Sequence, residues 1–292
     1  MRRSFVCCFC LAALGAACQG RPQQREYRLQ GQVLSITPNH QQATINHEEI
    51  KGFMAAMTMP YNVHDAKQLE GIAPGDLVNA TLVVLPNDAY LTDVKKVGQA
   101  PLPQPAPATE APSASSGFEL LKPGERVPTT ATFVDQDGKK RTFGSFRGST
   151  VLITFIYTSC PFPTFCPLMD RHFATIQSRL KADAALKGRV HLVSVSFDPL
   201  TDTPAVLTAH AHKLGADLKN WTFLTGDRDD IDQFAARFGV SVARAQNNQR
   251  DISHNLRTAI VDSEGKLVKV YVGNEWTPEQ ALADLLPVAH AS

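Results

Sequence analysis

Two stretches of this chain carry the side chains best able to bind a soft metal or move electrons. One is YTSCPFPTFCPLMD, Tyr157 to Asp170, in which Cys160 and Cys166 are separated by five residues. The other is MAAMTM, which holds Met54, Met57 and Met59. The chain has six cysteines, and the other four (Cys7, Cys8, Cys10 and Cys18) lie within the first eighteen residues. Cys160 and Cys166 are therefore the only thiols in the body of the protein. A cysteine pair can trade electrons, hold a metal or staple a loop, and their spacing leaves all three open. Apart from Met1 and Met169, the three clustered methionines are the only ones in 292 residues. Methionine usually fills gaps in a core. Here three fall within six residues, and Met57 and Met59, two apart on a predicted strand, face the same side. His47, ten residues before Met57 on the preceding strand, is near enough to join them. Thioether plus imidazole without carboxylate suits Cu(I) or Ag(I) and poorly suits Zn, Mg or Ca.

The elements that position these residues fall into two pieces. From Glu26 to Val97 the sequence reads as five short strands: YRLQGQVLSI, QQATINH, MTMPYNV, DLVNATLVVL and AYLTDVKKV. PNH, APGD and PND supply the turns, and no helical period intrudes. An all-β barrel of OB type over 26–98 is expected, with a small sandwich as the alternative. Residues 99–117, QAPLPQPAPATEAPSASSG, contain five prolines, five alanines and one charge, and cannot build a core. At ~3.1 Å per residue this tether reaches up to roughly 60 Å.

Residues 118–289 alternate strands and helices. TVLITFIY is a buried strand, followed by the cysteine loop and a helix over about 165–185. HLVSVSF is the next strand, a helix runs from Thr203-Pro204 through Leu214, and WTFLTG follows. A helix around 229–238, a hairpin (LRTAIVD, SEG, KLVKVYVG) and a last helix near Thr277-Pro278 complete the order. A βαβ start with cysteine between first strand and first helix, and a ββα end, is an α/β thioredoxin-like fold.

In that fold the cysteine sits at a helix N-terminus, where unpaired N–H groups favour a thiolate. Dithiol oxidoreductases of this fold place a cis-proline just before the penultimate strand, against the cysteines. This chain has Ile252-Ser253-His254-Asn255 there. Cys160, Cys166 and His254 form a soft S₂N set suited to Cu(I) or to a cupric thiolate site. The plainer reading is a hydrogen-bonded histidine beside a structural disulfide. Residues 118–289 resemble the SCO (SenC) family of membrane-tethered copper chaperones for cytochrome oxidase. The resemblance rests on YTSCP…CPLM at 157–169, VSFDP…DTP at 195–204 and DISHN at 251–255. It implies Cys160, Cys166 and His254 as copper ligands, with the thiols also a redox pair, and the copper-centre subunit of an oxidase or another copper protein as partner. The family most often has three residues between its cysteines. The two extra here bear on the bite of the thiolates and on their redox potential. Asp198 is a support for loop or histidine, or a turn residue.

INHEEIKGFMAAMTMPYNV, 45–63, resembles the small periplasmic Cu(I)/Ag(I)-binding barrel of copper efflux systems, which implies His47, Met57 and Met59 as ligands. Where that family has a tryptophan over the metal, this chain has Met54 with Phe53 beside it, giving a third thioether ligand or an aromatic lid. His40 and His64 read as solvated residues near turns, His210 and His212 as surface, and Trp221 and Phe223 as core.

Arg2-Arg3 before an apolar run from Phe5 to Ala17 reads as an export signal, and LGAACQG resembles a lipoprotein cleavage site with Cys18 as the lipidated residue. The expected compartment is the periplasm, with the chain anchored at the membrane by that lipid, where a thiol pair can be oxidised. Lys plus Arg total 29 and Asp plus Glu 28, so electrostatics favour no nucleic-acid partner. The sequence reads as a copper metallochaperone with a redox-active cysteine pair. Three rivals stand beside it: a thiol peroxidase using Cys160 with Thr158 and Arg257, a thiol–disulfide reductase, and a copper-sequestering protein.

Overall fold

β1 (Arg25–Ile36) buries Leu29 and Val33 on one face between more exposed neighbours, as a strand does with one face on a core. The computed structural model describes residues 24–102, 119–183, 186, 188–245 and 248–291. β2 (Gln42–His47), β3 (Met57–Asn62), β4 (Asp76–Val84) and β5 (Ala89–Gln99) join β1 in an antiparallel sheet of order β3-β2-β1-β4-β5. Its two edges meet where Val63, just past β3, bridges Leu91 in β5, and the His64 amide donates to the Leu91 carbonyl at 2.9 Å. That bridge closes the sheet into the expected barrel. Leu29, Val33, Ile45, Leu82 and Leu91 fill it.

The barrel needs a glycine at one crossing. Gly31 pairs with His47 on one side and Val78 on the other. A Cβ there would lie 2.6 Å from the Asn46 carbonyl oxygen and 2.7 Å from the His47 Cα. Only glycine lets β2 approach β1 this closely at the histidine.

The second piece is built on a seven-stranded sheet. β8 (Thr150–Ile156), β9 (Val190–Ser196) and β10 (Trp221–Gly226) run parallel at its centre. All seven residues of β8 are buried, the mark of a strand covered on both faces. The hairpin β13 (Arg257–Val261) and β14 (Leu267–Val272) adds antiparallel to β8. A short hairpin, β6 (Thr132–Asp135) and β7 (Lys140–Thr142), adds beyond β10. The helices are α1 (Cys166–Ala182), α2 (Pro204–Leu214), α3 (Arg228–Arg237) and α4 (Pro278–His290). α2 starts where Thr203 accepts the Val206 amide ahead of Pro204, and α4 opens on a Thr277/Gln280 capping box.

Two hairpins escaped the sequence reading. One is β6–β7. The other, β11 (Val242–Ala245) with β12 (Asn248–His254), is a two-stranded sheet that ends on His254. The reading of His210 as surface is corrected: its Nε2 lies 2.9 Å from Asp170 Oδ2 and its ring meets Phe223 edge-on. His212 is exposed, as are His40 and His64, while Trp221 and Phe223 are fully buried. Among the described residues no helix is long and apolar enough to cross a membrane. The Pro/Ala tether beyond residue 102 and the export signal with Cys18 lie outside the described residues.

Candidate metal centres

In the barrel, strand register gathers the predicted donors. His47 lies directly opposite Met57, and Ile45 opposite Met59, on the β2–β3 pair. Directly opposed side chains share a face, so imidazole and both thioethers point to the same side of the sheet. His47 is 2% exposed, Met59 is buried and Met57 half-buried. The His47 ring is oriented by one bond: Nδ1 sits 2.7 Å from the Glu48 carbonyl oxygen, which can only accept, so Nδ1 carries the proton. Nε2 then holds a lone pair, is buried and has no hydrogen-bond partner. A buried acceptor in this state fits a metal-ligand atom. Burial holds the His47 pKa below its usual value, so the ring is neutral and able to coordinate at neutral pH.

Met54 comes from the turn before β3, where it exchanges backbone hydrogen bonds with Ile50. The Tyr61 hydroxyl points at its Sδ, at 3.7 Å. Phe53 stacks on Tyr27 with ring centroids 4.5 Å apart, and Tyr61 meets the His47 ring edge-on at 5.6 Å. The donors thus sit in an aromatic surround.

At the other centre, Cys166 is the first residue of α1 and is 1% exposed; Cys160, on the loop before it, is half-buried. Both are free thiols. His254, at the end of β12, repeats the arrangement of His47: Nδ1 donates to the next residue's carbonyl, Asn255 O, at 2.9 Å. Its Nε2 faces Cys166 Sγ at 3.6 Å. With metal–sulfur and metal–nitrogen bonds of roughly 2.3 and 2.0 Å, a single ion can bridge atoms at that separation. Phe197 and Tyr157 wall in the ring, at 4.4 and 5.6 Å. Burial pushes the His254 pKa down to about 4, so it too is neutral at pH 7.

The two thiols are unequal. A hydrogen bond from Cys166 lowers Cys160 to about 7, whereas burial, and then the neighbouring Cys160, drive Cys166 well up. Cys160 is the first to become a thiolate, and the more accessible. Among the described residues no three His, Cys, Asp or Glu side chains form a finished metal cage. The Cys166–His254 half is preformed, and Cys160 sits on the PFPTF loop that would complete it.

Asp202, in the DTP segment, anchors that loop, a role the sequence did not disclose. Its Oδ2 accepts from the Thr158 amide at 2.9 Å and from Ser196 Oγ at 2.5 Å, and Oδ1 accepts from the Thr158 hydroxyl. Asp198 is buried, but its Oδ2 has no partner, and its amide donates to Ser196 Oγ. Thr158, considered as an activator of Cys160, spends its hydroxyl on Asp202, and Arg257 donates to the Leu256 carbonyl.

Both centres open into one cavity of about 1050 Å³, lined by Met54, Met57 and Met59 from the barrel and by Cys160, Phe162 and His254 from the second domain. His47, the cross-strand partner of Met57, does not itself line the cavity, nor does Cys166.

Residues 122–290 match the family model described as SCO1/SenC, and residues 26–96 match that described as the copper binding periplasmic protein CusF. The chain is 34% identical over 166 residues to the SCO1 protein homolog of Bacillus subtilis, covering 56% of this chain and 83% of that one. It is similar to the structure of a SCO1/SenC family lipoprotein of Bacillus anthracis, at 30% identity and a TM-score of 0.51, covering 59% of this chain and 99% of that one. BsSco, a member of the Sco family of cytochrome c oxidase assembly proteins, is also similar, at 30% identity and a TM-score of 0.49, covering 60% and 100%.

Proposed function

Because this chain belongs to the SCO1/SenC family, we propose that it is an exported copper metallochaperone. It takes Cu(I) on the barrel at His47, Met57 and Met59, passes it to Cys160, Cys166 and His254, and delivers it to a copper centre of a respiratory oxidase. The observation that carries this reading is the shared cavity, whose lining includes Met54, Met57 and Met59 together with Cys160 and His254. Soft neutral donors on one side and soft anionic donors on the other suit the same ion, Cu(I). Holding both on one chain gives transfer a high effective concentration, so copper need not pass through solution. Export, with a lipid on Cys18 as the membrane anchor, belongs to the same proposal. It is supported by Arg2-Arg3, the apolar run and the LGAAC segment.

The cysteine pair adds a release step. Oxidation of the two thiolates by a client's disulfide forms the Cys160–Cys166 S–S bond and breaks the client's. The two electrons pass to the client's sulfurs, which leave as thiolates and take protons from water, and both thiolates are lost to the metal. A thiol–disulfide reductase is the second reading, favoured by the Cys160 pKa of about 7. It has no need of His254. The peroxidase reading is weaker, because Asp202 holds the Thr158 hydroxyl.

The test is an anaerobic Cu(I) titration of the reduced chain against a competing chelator, with His254→Ala and with Met57→Ala/Met59→Ala. Two tight sites are expected, each lost in one variant only. A single site, lost with the methionines alone, would leave the cysteine loop as a redox centre and the barrel as its copper-binding attachment. Met54→Ala in the same titration separates a ligand from a neighbour: an unchanged affinity removes Met54 from the set and leaves Phe53 as its aromatic cover.

A further inference from the structure

Phe162 is the middle of the three residues that open the PFPTF stretch, and it is 3% exposed although it sits on a connecting loop of the second domain. Its burial comes from the other domain: it belongs to the barrel's hydrophobic cluster, not to that of the seven-stranded sheet. Its ring meets Tyr61 edge-on at 5.8 Å and Phe53 at a tilt at 6.2 Å, with Phe165 behind it at 5.1 Å. Pro161 and Pro163 flank it and restrict the backbone on both sides, so little freedom is lost when the ring is seated. A second strut lies beside it. Arg171, on α1, donates to the Pro163 carbonyl at 3.0 Å and to the Asn87 carbonyl of the barrel's β4–β5 turn at 3.2 Å. The Asp88 carboxylate in the same turn adds a favourable charge.

From this arrangement we infer that the lengthened cysteine loop is an interdomain latch: Phe162 plugs into the barrel's Phe53/Tyr61 pocket, with Arg171 as its polar strut, and thereby closes the methionine site against the cysteine site. An apolar ring on a loop has no use in its own domain unless something covers it. Here the covering surface is the aromatic surround of the barrel's metal donors, and Tyr61 touches both Phe162 and His47. Seating the plug brings Cys160 to the wall of the cavity that Met57 and Met59 also line. Unseating it uncovers both donor sets to solvent, for uptake at one and delivery from the other. The inference deepens the metallochaperone reading and rests on it for its purpose, but the closure itself is independent of copper.

Small-angle scattering from the reduced, copper-free full chain tests the closure. The wild-type chain is expected to scatter as one closed particle, and Phe162→Ala as two domains on a tether, because losing the buried ring lowers the closed population at least roughly tenfold. Phe162→Leu is expected to restore much of the closure and Arg171→Ala to loosen it in part. Far-UV circular dichroism of each variant should match the wild type, since Phe162 is not a member of its own domain's buried core. An extended wild-type chain, or a Phe162→Ala profile superimposable on a closed wild type, overturns the latch. Neither outcome bears on whether the two sites bind Cu(I), which the titration above decides. With the barrel loaded, Phe162→Ala should also surrender Cu(I) to an external chelator roughly tenfold faster. An unchanged stripping rate in an opened variant would show that the plug does not cover the site.

Discussion

The two candidate centres share one device and differ in everything around it. His47 and His254 each donate Nδ1–H to the carbonyl of the following residue, at 2.7 and 2.9 Å, and each keeps a lone pair on Nε2. In the barrel the partners are thioethers, fixed by the His47–Met57 and Ile45–Met59 register of two paired strands. In the second domain they are thiols, one locked at the start of α1 and one on a loop. A thioether is neutral over the whole physiological pH range and forms no disulfide. A thiolate can be protonated or oxidised away. On the proposed reading, the same histidine arrangement serves a site that holds copper and a site that lets it go. The switchable one is the one built on a loop.

The difference is sharpest against pH. Cys160 lies at about 7, so between pH 8 and 6 its proton increasingly competes with Cu(I), and affinity at the thiolate site falls by up to roughly tenfold per unit below that pKa. Cys166, raised by burial, adds a proton to be displaced throughout the range. His254, at about 4, and His47, below its usual value, stay neutral at pH 7 and contribute no such slope there. Chelator competition across pH 6 to 8 should therefore give a steep line for Met57→Ala/Met59→Ala and a shallow one for Cys160→Ser/Cys166→Ser. Parallel lines would erase the contrast between the two sites.

A smaller and more local effect should come from Gly31→Ala. Its Cβ would meet the Asn46 carbonyl oxygen and the His47 Cα, so the strand pair must part at the histidine. The expected cost is about 1–3 kcal/mol of barrel stability, with weakened Cu(I) binding in the barrel and unchanged binding at Cys166 and His254. Thermal unfolding together with the titration reads both. Loss at both centres would mean that they are not separable units.

Much of this was legible in the sequence for chemical reasons. Cysteine, methionine and histidine are scarce in this chain, so Cys160, Cys166, His254, His47, Met57 and Met59 stood out, and the structure places each set in one neighbourhood. The five barrel strands and the core of the βαβ unit followed from alternation and continuous apolar runs. What escaped were residues whose role depends on distant partners. Asp202 lies in the DTP segment, and its carboxylate ties Thr158 beside the cysteines. His210, on an exposed-looking helix, finds Asp170 forty residues away. Nothing in the sequence marks Phe162, which is buried against Tyr61, a hundred residues earlier in the chain. The β11–β12 hairpin escaped because VARAQNNQRD has little apolar alternation, though it carries His254 into place.

The central claim is that copper crosses from methionine to cysteine within one molecule. It is tested most directly by loading one equivalent of Cu(I) on the reduced full chain at pH 6, where the thiolates are weakened. The pH is then raised to 8 and the near-ultraviolet Cu(I)–thiolate absorption followed. The absorption is expected to grow at a rate independent of protein concentration and untouched by a competing chelator in solution. Absorption that never appears, or whose rate scales with protein concentration, would contradict it.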